Sequence, residues 1–315
     1  MRFKPTLSSF GFLAAGCILL ASCGGGGSDS ATQTSNNGND TGSSGTASAY
    51  PAGSQQAGAF QKLNAARTQC GFGALAQAAQ LDTSAGAHAS YMTVNNSYGH
   101  FEVQGQPGFT GVAPSDRQTA AGYRWMFSGE AIAQVATTDT GADAVRFLLA
   151  APYHAALLVN GFRDVGIGWG PVGGLPVLTI DLGTRLGQSN QGVTGVVTYP
   201  CSGITDAVPV GGSETPSPFP SNASATWGQP VTVRGPADLR ITSASITGPL
   251  GSVQLQAIYG DGQQADPNGT GDFTQGFFTI IPATLQPNAT YSVSIAYTTG
   301  GTPGRTDFSF TTTSR

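Results

Sequence analysis

The chain has 315 residues, 39% of them hydrophobic and only 10% charged, enough apolar content for two cores and too much for charge-driven disorder. Its formal charge is −4 and no block of Lys or Arg occurs, so nothing marks it for electrostatic capture of nucleic acid. Gly (46) and Pro (19) are abundant, which favours turns and β structure over long helices.

Residues 1–23 read as a secretion signal of the bacterial lipoprotein type. Arg2 and Lys4 form a basic start, Phe10 to Ala21 an apolar run, and Leu20-Ala21-Ser22-Cys23 resembles a lipobox that makes Cys23 the lipidated first residue of the mature chain. A run of about a dozen residues is short of the roughly 20 that a spanning helix needs. The expected membrane partner is therefore reached through acyl chains on Cys23, and more than one chain is what stable anchoring takes. Gly24, not Asp, follows the cysteine, a pattern resembling outer-membrane sorting. Residues 24–56 form the expected disordered tether, since the Gly, Ser, Thr, Asn and Ala that dominate them lack apolar periodicity.

Folded structure is expected from Ala57. Phe60, Leu63 and Ala66 recur at helical spacing up to the Gly71-Phe72-Gly73 breaker, and Leu81, Ala85, Ala89 and Met92 form a second stripe with Asp82 as an N-cap or first-turn acid. With Cys17 and Cys23 in the signal region, Cys70 and Cys201 remain. An even pair in an oxidising compartment most simply forms one disulfide, closing about 130 residues and contributing on the order of 4–5 kcal/mol. A reactive or metal-binding thiol is the weaker alternative, because neither cysteine lies near a histidine or in a Cys-x-x-Cys.

The stretch from Tyr98 to Gly170 holds two of the three histidines, His100 and His154, with Glu130 between them in Gly129-Glu130-Ala131-Ile132-Ala133. The alternative is that both histidines are simply cleft-wall residues whose nitrogens meet backbone groups. His88, on the second helical stripe, reads as a packed or surface histidine, and Asp139 and Asp143 as helix caps. Tyr123, Trp125 and Phe127 alternate with Arg124 and Met126, as a strand or a cleft wall would. Val165-Gly166-Ile167-Gly168-Trp169-Gly170 and Val177-Leu178-Thr179-Ile180-Asp181-Leu182 read as strands, and the Gly-x-Gly lacks the following helix that a nucleotide site requires.

Taken in order, Leu63-Asn64-x-x-Arg67, Leu75, Leu81, Ala85, Gly99-His100, Arg117, Gly122-Tyr123, Gly129-Glu130-Ala131-Ile132-Ala133, Pro152-Tyr153-His154 and Val165-Gly166-Ile167-Gly168 resemble the bacterial branch of the CAP superfamily (cysteine-rich secretory, antigen 5 and pathogenesis-related 1 proteins). The resemblance covers roughly residues 57–200. It implies an α-β-α sandwich with an open cleft in which His100, Glu130 and His154 converge, able to hold a divalent metal such as zinc. Ala131 stands where the family has Asn, Phe147 where it has Trp, and Ala151 and Ala155 flank Pro152-Tyr153-His154 in place of Ser and Arg. The second acid of plant and animal members has no clear counterpart. Glu102 supplies one only if the chain there is extended, since i and i+2 then share a face.

Residues 205–228, rich in Pro, Ser and Gly, read as a linker between a 57–204 CAP domain and a 229–315 module. There Val253-Leu255-Ala257-Tyr259, Tyr291-Val293-Ile295-Tyr297 and Phe308-Phe310 alternate with polar neighbours, as in an antiparallel sandwich, and the ending resembles immunoglobulin-like modules. The loop Asp266-Pro-Asn268-Gly-Thr-Gly-Asp272 fits turn chemistry at least as well as calcium. The expected class is α+β, an α-β-α CAP sandwich followed by an all-β immunoglobulin-like sandwich. The expected function is an exported, lipid-anchored protein that binds cell-wall material, a lipid or a protein partner in a His/Glu cleft. The alternative is a metal-assisted hydrolase of a cell-envelope or peptide substrate with Glu130 as general base.

Overall fold

The computed structural model describes residues 48–222 and 224–315, so the expected signal, Cys23 and most of the tether lie outside the described residues. The first helix, α1 (Gln55–Gln69), begins where Ser54 Oγ accepts the Ala57 N–H at 3.1 Å, and it buries Phe60, Leu63 and Ala66 as the spacing predicts. After β1 (Ala76–Gln77), α2 (Ala79–Asn95) buries Leu81, Ala85, Ala89 and Met92 and stops at Asn96, whose φ of 46° places it in the left-handed region. Asp82 is a first-turn acid that reaches out of the helix, accepting from the backbone N–H of Ile167 and from Gln77.

There follow α3 (Pro114–Ala120), β2 (Trp125–Gln134), α4 (Gly141–Leu148), α5 (Pro152–Leu158), β3 (Asp164–Val172) and β4 (Leu175–Arg185). Thr140 and Asp143 form the capping box of α4. The sheet order is β1-β3-β4-β2, antiparallel except for β1 beside β3. Gly173 and Gly174, both at positive φ, make the two-residue turn joining β3 to β4.

Alternation along β3 decides the layering. Val165 and Ile167 join the apolar cluster shared with α1, α4 and α5, while Gly166, Gly168 and Gly170 face α2. A Cβ on Gly166 would stand 2.0 Å from the Leu81 carbonyl carbon, and one on Gly168 2.2 Å from the Ala85 carbonyl oxygen, so α2 lies backbone against strand. The result is an α-β-α sandwich.

The C-terminal part is a β-sandwich of two antiparallel sheets. One is β5 (Val197–Tyr199), β6 (Val231–Arg234), β10 (Phe277–Pro282) and β9 (Leu255–Tyr259); the other is β12 (Thr302–Thr311), β11 (Thr290–Thr299), β7 (Arg240–Gly248) and β8 (Gly251–Val253). Tyr291, Val293 and Ile295 are buried at alternate positions of β11, as the period of two predicts. Residues 197–199, counted with the first domain in the sequence reading, hydrogen-bond to β6 of this sandwich. Cys70 and Cys201 form a disulfide with Cα atoms 5.5 Å apart, tying the end of α1 to the chain just beyond β5.

Residues 205–228 are packed as well. Ala207, Val208, Glu214 and Trp227 are buried, Trp227 donates its indole N–H to the Ala150 carbonyl at 2.9 Å, and Gln229 bonds to the Leu149 carbonyl at 2.7 Å. One apolar cluster runs from α1 through the first sheet into the sandwich, so a Pro-rich composition here goes with a seated segment. In the 266–272 loop, Asp266 accepts from the N–H groups of Asn268 and Thr270, which is turn chemistry, and also from the Tyr153 hydroxyl at 2.5 Å. Among the described residues no helix is long and apolar enough to cross a membrane.

Candidate functional site: a cavity between two histidine–carboxylate pairs

A cavity of about 680 Å³ opens beside the end of β2. Its walls come from Tyr98 to His100, from Ile132 to Ala136, from Phe147 and Leu148 of α4, from Ala151 and His154 at the start of α5, and from Ser213, Glu214 and Thr215. His100 and His154 therefore line one cavity, although 54 positions separate them.

His100 Nδ1 lies 2.9 Å from Glu130 Oε1, and the other Glu130 oxygen accepts from Arg117 Nη2 at 2.6 Å. Arg117 also donates to the His100 carbonyl at 2.9 Å, so a single guanidinium fixes both the backbone of the histidine and its carboxylate partner. Burial opposes ionisation of Glu130, but the His100 hydrogen bond and the Arg117 charge outweigh it and hold its carboxyl below the usual range. With both oxygens engaged and its basicity lowered, Glu130 is poorly suited to abstract a proton.

Asp181 sits opposite Glu130 in the β2–β4 register, fully buried. Burial, reinforced by the Glu130 charge, pushes its carboxyl well above the usual carboxylate range. The sequence carried one hint of it, an acid inside an otherwise apolar strand run.

Glu102 does not line the cavity. The Glu102 carboxylate is buried against His88 Nδ1 (2.9 Å) and the N–H groups of Thr110 (2.6 Å) and Gly111 (3.3 Å). His88 is fully buried, with its other ring nitrogen 2.9 Å from the Gly99 carbonyl. This pair braces the loop that carries His100.

His154 has a carboxylate of its own. Glu214 Oε1 accepts from both the backbone N–H and Nδ1 of His154, at 2.8 Å each. No motif signals Glu214, a lone acid in a Ser/Pro-rich stretch. Each histidine thus turns Nδ1 toward a carboxylate, and neither Nε2 makes a hydrogen bond within the described residues.

The three-ligand set His100, His154 and Glu130 does not assemble: Glu130 is spent on His100 and Arg117, and no group of three or more His, Cys, Asp or Glu side chains able to hold a metal occurs among the described residues. The nitrogen donors on the cavity wall are the two imidazoles, a ligand type that suits a divalent transition metal. A carboxylate on Nδ1 fixes the tautomer that leaves Nε2 as a lone-pair donor, the arrangement usual behind metal-bound histidine. The second oxygen of Glu214 is buried without a hydrogen-bond partner.

The sequence model of the cysteine-rich secretory protein family, CAP, matches residues 60–180. Residues 60–180 are a CAP domain. Among solved structures, an extracellular protein containing a SCP domain from Bacillus anthracis is 23% identical, with 42% of this chain and 40% of that one covered and a TM-score of 0.36. An outer surface protein of Borrelia burgdorferi is 16% identical, with 40% and 90% covered and a TM-score of 0.35. The chain thus spans 40% of the length of the Bacillus relative. No curated protein matches. Of the cavity's histidines and their carboxylate partners, His100, Glu130 and His154 fall within the matched residues and Glu214 lies beyond them.

Proposed function

We propose that this is an exported, lipid-anchored cell-envelope protein whose CAP cleft binds a ligand at the His100/His154 pair, with a divalent cation held by the two Nε2 atoms. The observation that carries the reading is that two histidines lining one cavity each pair Nδ1 with a carboxylate, Glu130 for His100 and Glu214 for His154. The Cys70–Cys201 bond suits an oxidising compartment, and the lipobox at Cys23 supplies export and the anchor.

When bound, the cation would supply a Lewis-acidic positive centre for an anionic or carbonyl oxygen of the ligand. Glu130, clamped by Arg117, orients His100; Glu214 orients His154; Ile132, Val135, Phe147 and Leu148 offer an apolar wall to the rest of the ligand. The ligand class that fits is a cell-envelope molecule with an apolar portion and an oxygen-bearing head. Because Glu130 is occupied on both oxygens, the geometry favours binding over general-base hydrolysis.

Zinc titration of the full chain against a chromophoric chelator tests this reading. Stoichiometric binding should fall at least tenfold in a His100→Ala/His154→Ala double variant that keeps its fold. Equal affinity in the two proteins would remove the cation from the proposal.

A further inference from the structure

The CAP domain supplies one acid to its two histidines, and the second comes from outside it. Glu214 lies in the segment between β5 and β6 of the sandwich, beyond the CAP domain, and its side chain is fully closed to solvent. A helix cap alone would need only the bond to the His154 backbone N–H in the first turn of α5; the additional 2.8 Å contact to Nδ1 engages the ring. The segment is held from both sides. Gly211 pairs with Trp227, whose indole bonds to Ala150, and Asn268 bonds both to the Tyr153 hydroxyl and to the Ser217 carbonyl at 2.7 Å. Tyr153 and His154, neighbours on α5, are thus gripped by the 266–272 loop and by the β5–β6 segment respectively.

We propose that Glu214 is the positioning residue of His154: it holds the ring with the proton on Nδ1 and the Nε2 lone pair on the cavity, so a segment outside the CAP fold completes the cation site. The assignment rests on the cation reading above for its consequence, but the state of the ring can be read without any metal. By linkage, a cation on Nε2 in turn favours the seated state of residues 213–215.

The test uses the full chain, with zinc as the probe, in wild type, Glu214→Ala and Glu214→Gln. In metal-free protein, ring 15N shifts should report an Nδ1 proton on His154 in wild type and its loss in Glu214→Ala, while His100 stays unchanged. Zinc affinity should fall roughly 10–100-fold in Glu214→Ala, the range typical of a lost partner behind a ligand histidine. Glu214→Gln, which keeps an accepting oxygen without the charge, should lose about 3–10-fold and retain the Nδ1 proton. An Nδ1 proton and a zinc affinity both unaltered in a folded Glu214→Ala would overturn the proposal. Should Glu214→Ala not fold, wild-type affinity in Glu214→Gln would overturn it instead. Zinc binding that ignores both histidines would sink the cation reading alone, with the ring shifts still deciding the role of Glu214.

Discussion

Arg117 Nη2 lies 2.6 Å from Glu130 Oε2, and both side chains are closed to solvent. A charge buried with one partner is costly to strand. Arg117→Ala should destabilise the protein by about 3–5 kcal/mol, because Glu130 loses its counter-charge and the His100 carbonyl its donor. Urea denaturation checks this, and an Arg117→Met/Glu130→Leu pair should recover part of the loss. A single variant as stable as wild type would mean the guanidinium contributes nothing.

Gly168→Ala tests the backbone contact between α2 and β3. The added Cβ meets the Ala85 carbonyl oxygen at 2.2 Å, where no flexible side chain can yield. A loss of about 2–3 kcal/mol is expected, read as a lower thermal midpoint. Gly86→Ala on α2, with open space around its Cβ, is the control and should be neutral or slightly stabilising.

The Cys70–Cys201 bond spans 131 positions. Cys70→Ser/Cys201→Ser should lose about 2–5 kcal/mol. Reductant should lower the thermal midpoint of wild type and leave that of the variant in place.

Asp181 gives stability a pH dependence of definite sign. Its carboxyl is raised in the fold, so above the ordinary carboxylate pKa of about 4 the folded state retains a proton that the unfolded state releases. Stability from this group is therefore fully present below that pH and falls as pH rises toward the folded value. Glu130 runs the other way: its carboxyl is lowered, and its contribution is present above the unfolded value and fades in acid. Asp181→Asn should gain on wild type between pH 5 and pH 8, measured by urea midpoints at both. A gap that does not change with pH counts against the assignment.

Periodicity was enough to place Phe60, Leu63 and Ala66 on one helix face and Tyr291, Val293 and Ile295 on one strand face, because burial alone decides those positions. His100 and His154 drew notice only through the ordered motifs around them, since spacing does not encode that two residues 54 positions apart line one cavity. Glu102 could not be placed, because i and i+2 share a face only in extended chain, and Thr110 and Gly111 hold its carboxylate in a loop. Gly166-x-Gly168 lacked a reading as a phosphate loop, and its use as a landing strip for α2 needed the helix position. Glu214 was illegible for a similar reason: composition marked its surroundings as linker, and what seats them is burial against α4 and α5.

Trp227 is 1% exposed at the seam between the CAP domain and the sandwich, with its indole bonded to Ala150, while Trp125 reaches solvent at the edge of the first sheet. The chain thereby carries a natural fluorophore at the joint on which the cavity wall depends. Blue-shifted emission would mark the seated joint and a red shift its opening, so parting of the two modules can be watched by light alone, with no label attached.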